Sequence, residues 1–200
     1  MAVANFETRE INCKVLYFGC AGAGKTENLR SIYRKTSPEV LAGLFDMGPV
    51  ESSQTFEFLP ISLGYVREYH LKLHLFTFCG FGLMPVAMES LLRGVDGVVF
   101  VVDSQKTKIV DNLSSRANMI ATLESSGYNF YDMPRVTQIN KMDLEEAAPL
   151  SVLKGELALP GSQVCTSVAT ESEGTLETLK VVSSQVLRQI SQEPMRSVGG

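Results

Sequence analysis

The sequence lacks the marks of an extracellular, membrane-spanning or zinc-binding protein. Its four cysteines form no C-x-x-C pair and match the spacing of no zinc module. Free cysteines in apolar strands suit the reducing cytoplasm, where disulfides rarely persist. The longest apolar run surrounds residues 98–102 and is far too short to cross a bilayer. These absences predict a cytoplasmic protein without a membrane span.

The two ends of the chain show no targeting signal. Residues 1–10 contain no apolar segment of the signal-peptide kind, and neither end carries a lipidation motif. We therefore expect no secretion and no stable membrane anchor. Residues 1–192 are expected to form a single domain, because a chain of this length can bury one substantial core. Residues 193–200 are expected to form a flexible C-terminal tail.

An excess of basic residues is also missing. The formal net charge is −4, whereas proteins that bind nucleic acids carry a basic surface. The charge therefore argues against a nucleic-acid partner. The balance of apolar and charged residues is that of an ordinary globular domain.

Apolar runs alternate with helical stretches along most of the chain. The run at residues 98–102 is continuously apolar, as in a strand that is buried on both faces. Strands separated by helices imply right-handed crossovers and a mostly parallel central sheet, so the predicted fold class is α/β with three layers. The predicted strands cover residues 13–18, 56–68, 71–78, 98–102, 135–139 and 164–168, and the predicted helices cover 25–34, 86–93, 109–125 and 176–190, with a less regular stretch at 35–53.

The strongest single motif is a phosphate loop, or P-loop. Residues 19–26 match G-x-x-x-x-G-K-[ST] in full, between a predicted strand and a predicted helix. Glycines let successive backbone N–H groups surround a phosphate, and the helix N-terminus adds positive charge. A flexible glycine-rich turn is the alternative. The candidate phosphate-binding residues are Gly22, Ala23, Gly24, Lys25, Thr26 and Glu27, with Lys25 reaching the β- and γ-phosphates and the Thr26 hydroxyl ligating Mg²⁺.

One position of this motif is electrostatically ambiguous. Glu27 follows Thr26 at the start of the helix, where the α-phosphate of a nucleotide should lie. A carboxylate suits a helix N-terminus, but beside a phosphate it would repel. Two interpretations stay open: the side chain points to solvent, or it weakens the affinity for triphosphate.

A second motif indicates guanine recognition. Residues 140–143 read Asn-Lys-Met-Asp, directly after the predicted strand at 135–139. Because ligands of open α/β sheets bind at the carboxyl ends of strands, this loop and the phosphate loop should open onto the same edge. The Asp143 carboxylate can accept from N1–H and the exocyclic amine of guanine, an arrangement that adenine does not offer. Lys141 can lie flat over the base. The alternative is an ordinary helix N-cap at Asp143.

The two loops together resemble those of Ras-like small GTPases, and longer stretches resemble the MglA-type bacterial branch, the gliding-motility and cell-polarity family. The resemblance covers about residues 13–190. It implies a Ras-like P-loop NTPase fold, GTP or GDP with Mg²⁺ as ligands, and a nucleotide switch that acts at a cell pole. It also implies that Ala169 and Thr170 complete the guanine pocket through backbone groups. The stretches that carry the resemblance are residues 25–29, 56–60, 92–104, 138–144 and 168–174.

The chain departs from this family where hydrolysis would be catalysed. The second switch of the family resembles T-x-P-G-Q, and the matching residues 77–81 keep Gly80, whose N–H can reach a γ-phosphate. Phe81 stands in place of the glutamine that positions the attacking water. In the first switch, Ser52 takes the place of the arginine finger, and Ser53 or Thr55 is the further candidate for Mg²⁺. We therefore expect very weak or absent hydrolysis and assign no catalytic residue.

These features favour a nucleotide-dependent regulator over an efficient enzyme. Its expected partners are polar scaffold or regulator proteins that contact the switch loops. Two alternatives remain open. One is a GTPase whose missing groups come from a partner, which for this family would resemble a Roadblock-type activator dimer. The other is a pseudo-GTPase scaffold that holds no nucleotide.

Overall fold

A single mixed sheet forms the middle layer of the protein. The computed structural model describes residues 3–5, 8–36, 45–50, 54–66, 68–79 and 92–192. Within these residues, eight strands join one sheet. The strands are β1 (Val3–Asn5), β2 (Glu10–Phe18), β3 (Phe45–Val50), β4 (Gln54–Val66), β5 (Tyr69–Cys79), β6 (Val95–Asp103), β7 (Arg135–Asn140) and β8 (Gln163–Thr166).

The strand order and direction bring the carboxyl ends of several strands to the same end of the sheet, here called its carboxyl edge. The sheet runs β3-β4-β5-β2-β6-β7-β8, and β1 pairs antiparallel with the beginning of β2. Strands β5, β2, β6, β7 and β8 are parallel neighbours. Strand β4 is antiparallel to both β3 and β5. The segments that follow β2, β6, β7 and β8 therefore leave the sheet at the same edge, where ligands of open α/β sheets bind.

Helices cover both faces of the sheet. They are α1 (Lys25–Lys35), α2 (Ile109–Ser125), α3 (Leu150–Leu157) and α4 (Thr175–Gln192). One buried cluster joins α1 and α4 to alternate residues of the central strands, and a second cluster joins α2 and α3 to the opposite set. The three-layer α/β fold predicted from the sequence is confirmed. In the part of the chain that the structure describes, no helix has the length and apolarity needed to cross a membrane.

The predicted elements agree with this architecture in most places but miss two β-strands and one α-helix. Helix α2 has the predicted bounds, and β6 extends the predicted run at 98–102 in both directions. The short strands β1 and β3 and the eight-residue helix α3 were not predicted. Strand β3 contains Gly48 and Pro49, which usually argue against a strand; it tolerates them because it lies at the edge of the sheet. The proposed tail and most of the helix predicted near 86–93 lie outside the described residues.

Candidate functional site

The phosphate loop leaves strand β2 at Phe18 and enters helix α1 at Lys25. Gly24 precedes the helix with a left-handed backbone, at φ 96°, and supplies no side-chain cap. The first N–H groups of any helix lack intrahelical acceptors, so those of α1 have neither an intrahelical partner nor a cap from Gly24. These donors and the positive end of the helix dipole form a site suited to an anion.

Two glycines of the loop are required by close approaches. A Cβ atom at Gly24 would collide with Nδ2 of Asn140, and one at Gly19 would collide with the carbonyl oxygen of Val101. The left-handed backbone of Gly24 adds a second reason for glycine, since side chains strain that conformation. The loop therefore packs directly against the ends of β6 and β7.

Lys25 is held inside the curve of this loop. Its side-chain ammonium donates to the carbonyl oxygens of Gly19 and Cys20, both at 2.9 Å, and only 4% of the residue is exposed. The backbone hydrogen bond from Ala23 N to Cys20 O, at 3.2 Å, closes the turn around it. A buried cation beside the N–H groups at the start of a helix is a donor set that fits a polyphosphate.

Asn140 joins the base loop to the phosphate loop. This buried residue ends β7, and its side-chain amide donates to the carbonyl oxygen of Ala23 at 2.9 Å. Its Oδ1 accepts from the Ser167 hydroxyl and from the Ala169 N–H, each at 3.0 Å. One side chain thus ties together the phosphate loop, the end of β7 and the loop after β8.

Lys141 is oriented by the end of the neighbouring strand. Its ammonium lies 2.6 Å from Oδ2 of Asp103, which ends β6 and is 1% exposed. Its carbonyl oxygen accepts from the Ser104 hydroxyl at 2.7 Å. The residue has a left-handed backbone, at φ 63°, which is unusual for a side chain larger than glycine. Asp103 at the end of β6 and Ser104 directly after it therefore fix both ends of Lys141.

Asn112 of helix α2 forms hydrogen bonds with both Asp103 and the phosphate loop. It is fully buried; its side chain accepts from the Asp103 N–H at 3.1 Å and donates to the Asp103 carbonyl at 2.8 Å. Its Oδ1 also accepts from the thiol of Cys20 at 3.4 Å. Burial, with the nearby Asp103 carboxylate adding, raises the pKa of Cys20, so the neutral thiol can act as this donor.

The other residues predicted to contact the base are Asp143, Ala169 and Thr170. Asp143 is exposed, and none of the described residues forms a hydrogen bond or an ion pair with its carboxylate. The N-cap alternative for Asp143 is wrong, because residues 144–147 form turns and α3 begins only at Leu150. Ala169 and Thr170 lie in a short 3-10 helix, in which the Ala169 N–H already donates to Asn140 and Thr170 is exposed.

Glu27 fits neither of the two simple interpretations of its position. Its side chain is 29% exposed, and Oε1 accepts from the guanidinium of Arg34 at 2.6 Å. The carboxylate is therefore neither solvated alone nor left as an uncompensated charge beside the phosphate loop. Thr26, the predicted Mg²⁺ ligand of this loop, is half-buried in the first turn of α1.

The switch positions are described only in part. Gly80, Phe81, Ser52 and Ser53 lie outside the described residues. The backbone of Thr55 is placed at the beginning of β4, opposite Cys79 at the end of β5. Since β5 is parallel to β2, this register puts Thr55 at the edge of the sheet where the phosphate loop emerges.

The sequence did not predict several residues that connect or flank the phosphate loop and the base loop. Asp103 carried a usable signal, because it ends a buried parallel strand just as Asn140 does, and the same topological rule applies to both. Asn112 and Ser167 carried none, since a single polar residue in a helix or a loop is common. Arg34 was missed because ion pairs along helices are normally sought three or four residues apart.

The chain has extensive similarity to a known protein. It is 37% identical over 194 residues to the mutual gliding-motility protein MglA of Myxococcus xanthus. The match covers 96% of this chain and 99% of that relative, so the two correspond over nearly their whole lengths. No protein-family model matches the chain.

Proposed function

The chain belongs to the MglA family of Ras-like small GTPases, and from that premise we propose that it is a guanine-nucleotide-binding regulator of cell polarity or gliding motility. It binds GTP and GDP with Mg²⁺ and contacts scaffold or regulator proteins through its switch loops. Recruitment to a cell pole is part of this proposal. The Myxococcus relative is named as a mutual gliding-motility protein, which supports this cellular role.

The hydrogen bond between Asn140 and Ala23 is the observation that carries the proposal. It brings the base loop and the phosphate loop side by side, as a single nucleotide that spans both loops requires. Residues 22–27 and Gly80 would hold the phosphates, and Thr26 with Ser53 or Thr55 would ligate Mg²⁺. Asn140, Lys141, Asp143, Ala169 and Thr170 would form the guanine pocket.

Calorimetric titration of nucleotide-stripped protein tests the binding step. We expect sub-micromolar binding of GTP and GDP in Mg²⁺ and no binding of ATP, because Asp143 discriminates by hydrogen bonding. A preference for GTP over GDP would support a working switch, since only the γ-phosphate differs between the two ligands. Absence of binding to any nucleotide would exclude the proposal and favour a nucleotide-free scaffold.

Hydrolysis is proposed to be very weak in the isolated protein. The chain has Phe81 where the family carries its water-positioning glutamine, and Ser52 where it carries the arginine finger. An arginine finger alone is worth about 10³–10⁵ in rate. The proposed function is therefore mainly that of a binding module with little turnover of its own.

Single-turnover phosphate release separates this proposal from an active enzyme. We expect almost no release from wild type and faster release from Phe81→Gln, with equal GTP affinity for both. Adding a Roadblock-type dimer tests the alternative in which a partner completes the site. Fast release from wild type alone would show that residues other than these two positions catalyse the reaction.

A further inference from the structure

Helix α1 carries an ion pair that spans two of its turns. The guanidinium of Arg34 lies 2.6 Å from Oε1 of Glu27, seven residues earlier in the chain. At 3.6 residues per turn, such a spacing places both side chains on one face of the helix. Arg34 is 48% exposed and Glu27 is 29% exposed, so the pair is partly shielded from water.

The same guanidinium reaches the loop that follows β8. Its Nη2 lies 3.4 Å from the hydroxyl oxygen of Ser172. Ser172 is 9% exposed and ends the short helix Ala169–Glu171 with a left-handed backbone, at φ 60°. Arg34 therefore links the face of α1 that bears Glu27 to the loop proposed to complete the guanine pocket.

The position of Glu27 creates an electrostatic problem for a nucleotide. It is the third residue of α1, and each residue advances only about 1.5 Å along a helix axis. Its carboxylate thus belongs to the turn whose N–H groups form the proposed anion site. A lone carboxylate there would repel a polyphosphate, whereas a carboxylate paired with a guanidinium presents almost no net charge.

We propose that Arg34 is a positioning residue for the nucleotide: it neutralises Glu27 and holds that carboxylate toward Ser172, away from the phosphates. This inference rests on the proposed guanine-nucleotide binding and adds the residue that makes such binding compatible with Glu27. Arg34 itself touches no phosphate in the proposal. Its effect on nucleotide affinity passes through Glu27.

A double-mutant cycle on these two residues tests the inference. Affinities for GDP in Mg²⁺ are measured by calorimetry at low salt for wild type, Arg34→Ala, Glu27→Thr and the double variant. We expect Arg34→Ala to weaken GDP binding by about threefold to fivefold, which corresponds to the upper part of the range for partly exposed ion pairs. In the Glu27→Thr background, the same change should alter the affinity by less than about twofold.

Four further measurements separate charge compensation from other effects. Lys35→Ala removes one positive charge from an exposed position of the same helix and should leave the GDP affinity within about twofold of wild type. The effect of Arg34→Ala should also shrink at 1 M salt, where the screening length falls to about 3 Å. Arg34→Gln, which keeps a polar side chain for Ser172, should weaken binding as Arg34→Ala does. Thermal denaturation of each variant confirms that it is folded.

The outcomes distinguish this inference from the proposed function. If wild type binds GDP and Arg34→Ala binds it equally well, the inference is wrong and the proposed function stands. An equal loss in both Glu27 backgrounds also overturns it, because Arg34 would then act independently of Glu27. If wild type binds no nucleotide, both fail together.

Discussion

The ammonium of Lys141 lies 2.6 Å from a carboxylate oxygen of Asp103, which is buried at the end of the neighbouring strand. In the proposed pocket, Lys141 packs over the face of the base. A side chain with four rotatable bonds gives up much conformational freedom when it is held in one place. The ion pair with Asp103 restricts that freedom, so the base contact in the proposed pocket is preorganised.

Asp103→Asn should therefore speed the release of guanine nucleotides. The amide keeps the shape of the carboxylate but lacks the charge that holds the Lys141 ammonium. We expect dissociation of a fluorescent GDP analogue to be about tenfold faster, equivalent to roughly 1.4 kcal/mol. Asp111→Asn is the matched control, because Asp111 pairs with Lys108 at 2.7 Å on an exposed surface. Equal rates for both variants would exclude a role for Asp103 in holding the nucleotide.

Asn140→Ala should destabilise the protein even in the absence of nucleotide. The change leaves the Ala23 carbonyl, the Ser167 hydroxyl and the Ala169 N–H without the hydrogen bonds that Asn140 provides. Buried polar groups that lose their partners cost about 1–3 kcal/mol each, so for three groups we expect a loss of at least about 3 kcal/mol in the free energy of unfolding. Urea titration measures it.

The control for this prediction is Asn118→Ala in helix α2. Asn118 is exposed, and alanine has the higher helix propensity, so the stability should change little or rise. If Asn140→Ala lowers the free energy of unfolding no more than the control does, the hydrogen bonds of Asn140 between the loops contribute nothing to folding.

Short-range patterns explain which parts of the site were predictable. The phosphate loop and residues 140–143 are contiguous motifs, each placed by the strand before it, so the sequence alone predicted that both segments would lie at the same edge of the sheet. The contact between Asn112 and Cys20 joins residues 92 positions apart and depends on how α2 packs against the sheet. No local pattern specifies that packing, and the same holds for the contact between Arg34 and Ser172.

Strand β3 shows the converse case, in which a sound local rule gives the wrong answer. Pro49 cannot donate a hydrogen bond to a neighbouring strand, so the sequence predicted an irregular stretch there. Whether that matters depends on the position of the strand in the sheet. An edge strand has one side without a partner strand, and the sequence does not say which strand lies at the edge.

His74 should make the stability of the protein depend on pH. It is half-buried on β5, where its Nε2 is 2.7 Å from Oδ1 of Asn12 and its ring stacks on Phe58. Burial lowers the pKa of His74, and the charges of Lys72 and Lys14 add to this, while Glu10 opposes it. The folded state therefore binds a proton less readily than the unfolded state does. This contribution to stability is present above about pH 6.5 and is lost as the pH falls through the lowered pKa.

His74→Gln tests this expectation because it keeps a polar side chain without a titratable ring. Urea unfolding at pH 7.5 and pH 5 should show a smaller loss of stability for the variant than for wild type. His70→Gln is the control, since His70 lies on the same face of β5 and bonds Ser62 through its ring nitrogen. If His74→Gln keeps the full pH dependence of wild type, other groups cause it.

Asp143→Asn should change which base the protein binds. Xanthine keeps the N1–H of guanine but has a carbonyl oxygen where guanine has its exocyclic amine. A carboxylate accepts from both guanine donors, whereas a carboxamide can accept from N1–H and donate to the xanthine carbonyl. We expect the variant to lose GDP affinity by at least about 100-fold and to gain affinity for xanthosine diphosphate, because each mismatch leaves polar groups unpaired.

A simple loss of GDP binding would not identify the role of Asp143, because many changes weaken a site. A change of preference from GDP to xanthosine diphosphate would identify that role, because a disordered loop would bind neither base. Glu145→Gln is the matched control: it removes the same charge from an exposed residue of the same loop and should leave the preference for guanine intact. Unchanged GDP affinity in Asp143→Asn would mean that the base is read elsewhere, and the assignment of residues 140–143 as the base loop would have to be abandoned.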